Sequence, residues 1–242
     1  MATPDEEILQ RLTRVRAEVD AAASAAGRDP SEVRLLLATK TQQPDRIITA
    51  LRAGITLIGE NRVQEVVAKA DELADVPHEL HFIGHLQTNK INQLLGRISC
   101  LQTLDSVDLA EKLQQRLETR EAQLDVLIQV NVSGEQSKSG IAPDEGPGLV
   151  VELERFPALI VRGFMTVGLN SSDRGEVRSG YRLLAQLRDT VRQQGLPGAE
   201  HAVELSMGMS GDFADAIAEG ATIVRLGSAV FGPRAPAPSN PA

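Results

Sequence analysis

The stretch RLLLATK, residues 34–40, shows the pattern that decides the fold: a short apolar run that ends at a lysine. Seven more short apolar runs follow it, and an amphipathic segment separates each run from the next. They occupy residues 55–58, 80–83, 98–102, 126–130, 159–164, 202–205 and 222–226. Near-continuous apolar character is typical of parallel strands covered on both faces, so the pattern predicts eight such strands.

The segments between the runs have the spacing of helices. Their apolar residues recur every three or four positions, which places them on one helix face. Three such stripes are Ile8, Leu12, Val15 and Val19; Ala110, Leu113 and Leu117; and Tyr181, Leu184, Leu187 and Val191. The first stripe precedes the first strand, so it predicts an extra N-terminal helix.

The number of strands and the chain length together indicate one architecture. Eight strand–helix units in 242 residues leave about 30 residues per unit, which suits a single α/β domain folded as a (β/α)8 TIM barrel. A doubly wound open sheet would usually have a glycine-rich turn after its first strand, and residues 40–44 contain no glycine. We therefore predict one barrel domain over residues 1–232 and a disordered tail over residues 233–242.

Composition excludes several classes of protein. The chain has 25 Lys and Arg against 33 Asp and Glu, and this acidic balance with 2% aromatic residues argues against a nucleic-acid partner. Cys100 is the only cysteine, so no intrachain disulfide forms, and its apolar neighbours predict a buried thiol. The acidic N-terminus is unlike a signal peptide, and no apolar stretch reaches the roughly 20 residues of a membrane span. We expect a cytoplasmic protein without membrane contact.

The carboxyl ends of barrel strands carry the functional residues in this architecture. Lys40 follows the first strand with no helix start between them, so its amine is expected at the barrel mouth. Partial removal from water favours the neutral amine, the form that adds to an aldehyde to give a Schiff base. The alternative is a lysine at a strand end that simply reaches solvent, and position alone favours that alternative.

The loops after the seventh and eighth strands form the second candidate site. Residues 206–212, SMGMSGD, are a loop of small residues that includes Ser206, Met209 and Ser210, and Gly227 with Ser228 follows the eighth strand. Barrels of this type frequently bind phosphate between these two loops, where backbone N–H groups converge at helix starts. The alternative is that Ser210 merely caps the helix that begins near residue 212.

Two further candidates have competing structural explanations. Arg225 interrupts the eighth apolar run and needs a buried partner, which is either Glu204 on the neighbouring strand or an acceptor atom of a ligand. Asn61 follows the second strand and would equally serve as the cap of a helix that starts at residue 62.

His85 and Lys138 lie in polar loops, where a solvated side chain is the default. The four histidines show no paired ligand spacing, so we predict no metal site.

Six segments, taken in order, closely resemble the pyridoxal phosphate homeostasis protein family. They are LLLATKT (35–41), IGENRVQE (58–65), HFIGHLQTNK (81–90), SKSG (137–140), LSMGMS (205–210) and VRLGSAVFG (224–232). The likeness extends from about residue 8 to residue 232, nearly the whole chain. It implies a barrel like the N-terminal domain of bacterial alanine racemase, with pyridoxal 5′-phosphate bound as cofactor.

The resemblance also implies which residues contact the cofactor, and it implies no separate catalytic residue. The cofactor-binding residues are Lys40, Asn61, Ser206, Met209, Ser210, Arg225, Gly227 and Ser228. Lys40 matches the lysine of the Schiff base, Asn61 an asparagine near the cofactor ring, and Arg225 the arginine that faces the pyridine nitrogen. The phosphate cradle is matched by Ser210 together with Gly227 and Ser228.

Two small departures from the family pattern keep the chemistry of the side chain. Ser228 stands where the family usually has threonine, and Thr39 stands where it usually has serine. Both positions retain a hydroxyl group, so cofactor binding is still expected.

Two function classes fit these residues, a cofactor carrier and an enzyme. A permanently charged Arg225 leaves the pyridine nitrogen unprotonated, which makes the ring a poorer electron sink for carbanion chemistry. Racemisation commonly needs an acid–base group on each face of the α-carbon, and in alanine racemases a tyrosine of a second domain supplies one. The sequence shows no such domain before Ala242, and its only tyrosine, Tyr181, lies on an apolar stripe.

We therefore expect a protein that buffers or delivers pyridoxal 5′-phosphate, with a cofactor-dependent amino-acid racemase or another weak enzyme as the alternative. An aldolase-like barrel that handles phosphosugars fits the composition but not the ordered motifs. The implied partners are the cofactor and apoenzymes that require it. Without a second domain to build a dimer, a monomer is expected.

Overall fold

The structure, a computed structural model, describes residues 3–135 and 138–232, and these form a closed barrel of eight parallel strands. The strands are β1 (Arg34–Ala38), β2 (Leu57–Glu60), β3 (Glu79–Phe82), β4 (Cys100–Leu104), β5 (Leu124–Gln129), β6 (Leu159–Met165), β7 (Glu204–Ser206) and β8 (Ile223–Leu226). Each strand pairs with the next, and β8 pairs with β1 to close the cylinder. The predicted (β/α)8 fold is confirmed, and the tail over residues 233–242 lies outside the described residues.

A helix follows every strand of the barrel, and one more helix precedes the first strand. The helices are α1 (Pro4–Ala25), α2 (Pro44–Arg52), α3 (Val63–Leu73), α4 (Ile91–Leu94), α5 (Val107–Glu118), α6 (Gly146–Leu153), α7 (Arg174–Gln193), α8 (Phe213–Ala218) and α9 (Ser228–Phe231). Local sequence explains where several begin. Pro44 is the first residue of α2, and the Ser106 side chain accepts a hydrogen bond from the Leu109 N–H to cap α5.

Helix α1 is the predicted extra helix at the N-terminus. Thr3 and Glu6 form a capping box at its start, in which each side chain accepts the other's backbone N–H. Its predicted apolar stripe is buried, and it packs against α2, α8 and α9. It therefore covers the outer surface where β8 meets β1. No helix within the described ranges is both long and apolar enough to cross a membrane.

Some strand boundaries differ from the sequence prediction by two residues. The second strand is Leu57–Glu60 rather than residues 55–58. Gly54, with a φ of 90°, ends α2, and the N–H of Ile55 bonds back to the carbonyl of Ala50. Ile55 therefore belongs to the helix C-terminus, where an apolar residue packs against the preceding turn.

The barrel interior contains both apolar and polar groups. One buried apolar cluster consists of Leu36, Leu57 and Ile223 with Ile83 packed against it, and another of Cys100, Leu127 and Met165. The buried polar side chains include His81, Gln102, Ser206 and Arg225. The Cys100 thiol is buried as predicted, and burial raises its pKa, so it stays protonated. The polar residues extend from the middle of the barrel to its carboxyl end, where the candidate site lies.

Candidate functional site at the barrel mouth

The predicted site residues follow four strands that are consecutive around the barrel, β7, β8, β1 and β2. Because all eight strands are parallel, the carboxyl ends of these four strands meet at one side of the same mouth. The structure brings to that side Lys40 after β1, Asn61 after β2, Ser206, Met209 and Ser210 at the end of β7, and Arg225, Gly227 and Ser228 at the end of β8.

Lys40 stands on the inner side of the barrel rim. Thr39, its predecessor, is fully buried on the outer side, where its hydroxyl donates to a carboxylate oxygen of Glu60 at 2.6 Å. Side chains alternate along an extended chain, so Lys40 shares the inner face with Leu36, a residue of the interior apolar cluster. Lys40 is half-buried, and its Nζ has no hydrogen-bond or ion-pair partner among the described residues.

The backbone that carries Lys40 is a tight turn. The N–H of Gln42 donates to the carbonyl of Thr39 at 3.0 Å, and Thr41 has a φ of 63°. A positive φ at the third residue is what a type II turn requires, but a β-branched residue rarely adopts it. Such a conformation costs on the order of 1–3 kcal/mol and persists only where neighbouring groups enforce it.

Arg225 points toward the mouth rather than toward Glu204. One guanidinium nitrogen donates to the Ser206 hydroxyl oxygen at 2.9 Å, and another donates to the carbonyl of Thr166 at 2.7 Å. Burial lowers the pKa of Arg225 to about 10, so the group is still charged at neutral pH. The expected alternative of an ion pair with Glu204 is wrong, because that carboxylate accepts from the Thr222 hydroxyl, two residues nearer the amino end of β7 than Ser206.

A chain of hydrogen bonds continues from Arg225 through the barrel. The Ser206 hydroxyl donates to Gln102 Oε1 at 2.6 Å, and Gln102 Nε2 lies 2.8 Å from His81 Nδ1. With Gln102 donating, His81 Nδ1 accepts and its Nε2 carries the proton, 3.7 Å from a carboxylate oxygen of Glu79. The nearby His81 imidazole and the hydrogen bond from Arg34 lower the pKa of Glu79 to about 2 despite partial burial. Gln102 and His81 are not predicted as site residues from the sequence, although both are polar residues inside predicted apolar runs.

The loop after β7 is held open by an aspartate. Gly208 has a φ of 91°, and a Cβ at this residue would lie 2.6 Å from the Ala216 side chain, so only glycine fits. Asp212 Oδ1 accepts the Met209 N–H at 2.6 Å, while its Oδ2 accepts the Tyr181 hydroxyl at 2.8 Å. These bonds leave the next two N–H groups of the loop, those of residues 210 and 211, without an acceptor in the described chain.

The structure corrects the alternative for Ser210. The N-cap of α8 is Asp212, and Ser210 is exposed two residues earlier, so it does not cap that helix. Asp212 takes the position nearer the helix and is itself tied to Met209 and Tyr181. Met209 is likewise exposed at the rim of the mouth.

The loop after β8 presents a second pair of free N–H groups. Gly227 precedes α9 and lies against β1, since a Cβ there would approach the carbonyl oxygen of Ala38 to 3.1 Å. The N–H groups of Ser228 and Ala229 donate to no acceptor in the part of the chain that the structure describes. Together with residues 210 and 211 they form two neighbouring sets of backbone donors, which suit an anion such as a phosphate.

Asn61 is placed by a close approach of two loops. A Cβ on Gly84 would lie 2.0 Å from the carbonyl oxygen of Asn61, so the chain after β3 passes directly over the end of β2. The N-cap of α3 is Arg62, which corrects the alternative that Asn61 caps this helix. Glu60 faces outward behind it, so Asn61 is on the inner side of the strand, as Lys40 is on β1.

Lys138 is not the freely solvated charge that its polar loop predicts. Its Nζ lies 2.7 Å from Glu135 Oε1 and donates to the carbonyl of Gly168 at 3.2 Å. The side chain is mostly buried against the loop after β6. His85, by contrast, is exposed as expected.

Comparison with known proteins gives three findings. Residues 11–235 match the family model described as the alanine racemase N-terminal domain. A protein from Aquifex aeolicus named pyridoxal phosphate homeostasis protein is 40% identical over 225 residues, which cover 93% of this chain and 97% of that protein. The structure of PipY from Synechococcus elongatus with PLP bound is 30% identical, with a TM-score of 0.82, covering 93% of this chain and 100% of PipY.

A further solved structure is more similar to this chain than PipY is, in both sequence and fold. It is the crystal structure of an unknown protein from Bifidobacterium adolescentis, 40% identical, with a TM-score of 0.91. The two chains are covered to 94% and 96%. Relatives of this kind therefore match the barrel from end to end.

Proposed function

The chain belongs to the pyridoxal phosphate homeostasis protein family, and from that premise we propose that it binds pyridoxal 5′-phosphate at the barrel mouth and serves the homeostasis of this cofactor. The observation that carries the proposal is the pairing of the Lys40 amine with two neighbouring sets of backbone N–H groups across the β1–β8 pair, all without a partner among the described residues. A ligand that carries an aldehyde and a phosphate group needs both, since the amine reacts with the aldehyde and the N–H groups bind the phosphate.

The residues at the mouth fit each part of the cofactor. Its aldehyde condenses reversibly with a primary amine, and Lys40 is the amine on the inner face. The phosphate would be bound by the N–H groups and hydroxyls of Ser210 and Ser228, with Gly227 allowing close approach. Arg225 would face the pyridine nitrogen, and Asn61, with Ser206 and Met209, completes the cofactor-binding set.

Arg225 also favours a carrier over an enzyme. Its guanidinium is charged at neutral pH and is aimed by Ser206 and Thr166, so it presents a fixed donor to a ring nitrogen. A nitrogen that accepts a hydrogen bond from a cation stays unprotonated, which weakens the ring as an electron sink. Tyr181 is fully buried and donates to Asp212, so its hydroxyl is not available to exchange a proton with a ligand.

The test is reductive trapping of the cofactor. Protein incubated with pyridoxal 5′-phosphate is treated with borohydride, and peptide mass spectrometry locates the label. We expect a Schiff base on Lys40, formed as the amine adds to the aldehyde carbon and one water leaves. We expect the Schiff base to colour the protein yellow, and we expect Lys40→Ala to abolish both the label and this colour. Lys90→Ala, a matched change of a half-buried lysine after β3, keeps both. A label on another lysine in the unaltered protein contradicts the proposal.

We further propose that the monomer passes its cofactor to apoenzymes that require it. Light scattering after size exclusion measures the mass, and activation of an added apo-aminotransferase by the loaded protein measures transfer. Activation no faster than with the same amount of free cofactor, or robust turnover of amino acids by the protein alone, would contradict this function.

A further inference from the structure

A buried cluster of charged groups lies on the outer side of β1 and β2, behind the mouth. It consists of Thr39, Glu60, Glu65 and Lys69, and we refer to it as the Lys69 cluster. Lys69 Nζ donates to Glu60 Oε1 at 2.7 Å, to Glu65 Oε2 at 2.8 Å and to the carbonyl oxygen of Thr39 at 2.9 Å. All three donor positions of the ammonium group are therefore used.

The cluster is deeply buried for a set of three charges. Glu60 is 2% exposed and the Lys69 side chain 10%. Burial raises the pKa of Glu60, while for Glu65 the hydrogen bonds from Lys69 and the Thr41 N–H outweigh burial and lower the pKa. Buried ion pairs are weak contributors to stability, because desolvation offsets their attraction. A contribution to stability is therefore a poor explanation for why these charges are buried together.

The cluster holds both peptide groups that flank Lys40. On one side, the Lys69 ammonium group and the Gln42 N–H both donate hydrogen bonds to the carbonyl oxygen of Thr39. On the other side, Glu65 Oε2 accepts the N–H of Thr41 at 2.6 Å. Thr41 is the residue with a φ of 63°, so the bond to Glu65 enforces the strained conformation. The turn is thus held from its outer side, while the Lys40 side chain itself has no partner in the described part of the chain.

We propose that Lys69 is a positioning residue for Lys40: with Glu60 and Glu65 it fixes the Lys40 backbone so that the amine meets the cofactor aldehyde in the right direction. This inference rests on the function proposed above. Lys69 touches neither the cofactor nor the reacting atoms. It acts through the turn, and reaction of two groups depends steeply on holding them about 3–3.5 Å apart in the correct orientation.

The experiment compares two cations that both hold backbone carbonyls. Lys69→Met removes the ammonium group, and a cavity of about 220 Å³ beside it, lined by Ile58 and Val66, leaves room for the thioether. Arg28→Met is the matched control, since Arg28 donates to the carbonyls of Ile217 and Ala221 at the opposite end of the barrel. Each variant is measured with pyridoxal 5′-phosphate and with pyridoxine 5′-phosphate, in which an alcohol replaces the aldehyde.

Lys69→Met is expected to slow condensation with the aldehyde roughly 10- to 100-fold, because the amine is no longer held in position. Its affinity for pyridoxine 5′-phosphate stays at the wild-type value, and amide hydrogen exchange over residues 39–42 accelerates. Arg28→Met shifts thermal unfolding but changes neither condensation nor this exchange. Wild-type condensation in Lys69→Met overturns the inference, as does an equal loss of pyridoxine 5′-phosphate binding, which would show a merely structural role.

A second variant keeps the inference testable if Lys69→Met does not fold. Glu65→Gln retains an amide oxygen for the Thr41 N–H but loses the ion pair with Lys69. It slows condensation in the same direction by a smaller factor, and an unchanged rate overturns the inference. Trapping in the unaltered protein separates the two proposals: a label away from Lys40 defeats the proposed function, whereas a label on Lys40 with unaltered rates in the variants defeats only the role of Lys69.

Discussion

Lys40 and Arg225 are two cations on adjacent strands at one rim, and the protein holds them in opposite ways. Arg225 is buried, and its guanidinium is fixed by Ser206 and Thr166. The Lys40 amine has no partner within residues 3–135 and 138–232, but the peptide groups on both sides of it are fixed by Glu65 and Lys69. A side chain that only has to present a hydrogen-bond donor is best held by hydrogen bonds to the donor group itself. A group that must form and break a bond needs a fixed backbone and a mobile amine at the end of its side chain.

The largest effect is expected from reversing the locked cation. Arg225→Glu places a carboxylate against the carbonyl of Thr166 without a partner, and an uncompensated buried charge costs about 3–5 kcal/mol. Urea denaturation should show this loss or no folded protein. The control is Arg155→Glu on an exposed surface, where the ion pair with Glu152 and the contact over the Phe156 ring are each worth about 1 kcal/mol or less. Equal stability of the two variants would mean that Arg225 is not locked by burial.

A smaller effect, dependent on pH, is expected at Glu79, which lies next to His81, the last residue in the chain of hydrogen bonds from Arg225. The pKa of Glu79 is lowered from 4.5 to about 2, so its carboxylate stabilises the folded state above pH 4.5, and this contribution is lost as the pH falls toward 2. Glu79→Gln should therefore unfold at lower urea than wild type at neutral pH, and the difference should narrow below pH 4.5. The gain is modest because Glu79 is half-exposed. A difference that stays constant into acid would contradict this assignment.

The smallest effect on stability is expected at the free amine. Lys40→Met removes a side chain that has no partner among the described residues, so unfolding in urea should shift by less than about 0.5 kcal/mol. The same variant should lose the covalent cofactor entirely. Lys40→Met thus separates function from stability, whereas Arg225→Glu loses both. A large destabilisation would show that Lys40 has a structural bond of its own and that the contrast between the two cations is false.

The fold could be predicted from the sequence because the spacing of the apolar runs and the length of the chain are compatible with few architectures. Eight apolar runs at regular intervals predict the barrel, and the strand ends then identify Lys40 and Arg225 by position. The partners of these residues were not predictable in the same way. Arg225 could have met Glu204 on the neighbouring strand, and only the register of β7 against β8 shows that Ser206 is the residue within reach.

The Lys69 cluster shows why the rest of the site could not be predicted from the sequence. Glu60 lies in a motif that the sequence identifies, but the outward direction of its side chain is decided by the strand on which it sits. Lys69 lies on the amphipathic helix α3, and from the sequence alone such a lysine is expected to be solvated, as most lysines are. Whether such a lysine reaches a turn 30 residues earlier depends on how α3 packs on β1 and β2, which no local pattern encodes.

Helix α1 has a consequence for how the molecule is assembled during synthesis. It leaves the ribosome before every strand of the barrel, yet its buried face packs on α8 and α9, which follow the seventh and eighth strands. Until those elements emerge, the stripe of Ile8, Leu12, Val15 and Val19 has no complete docking surface and is open to chaperones. Docking of α1 is therefore completed only after the barrel strands have been made, although α1 precedes all of them in the chain.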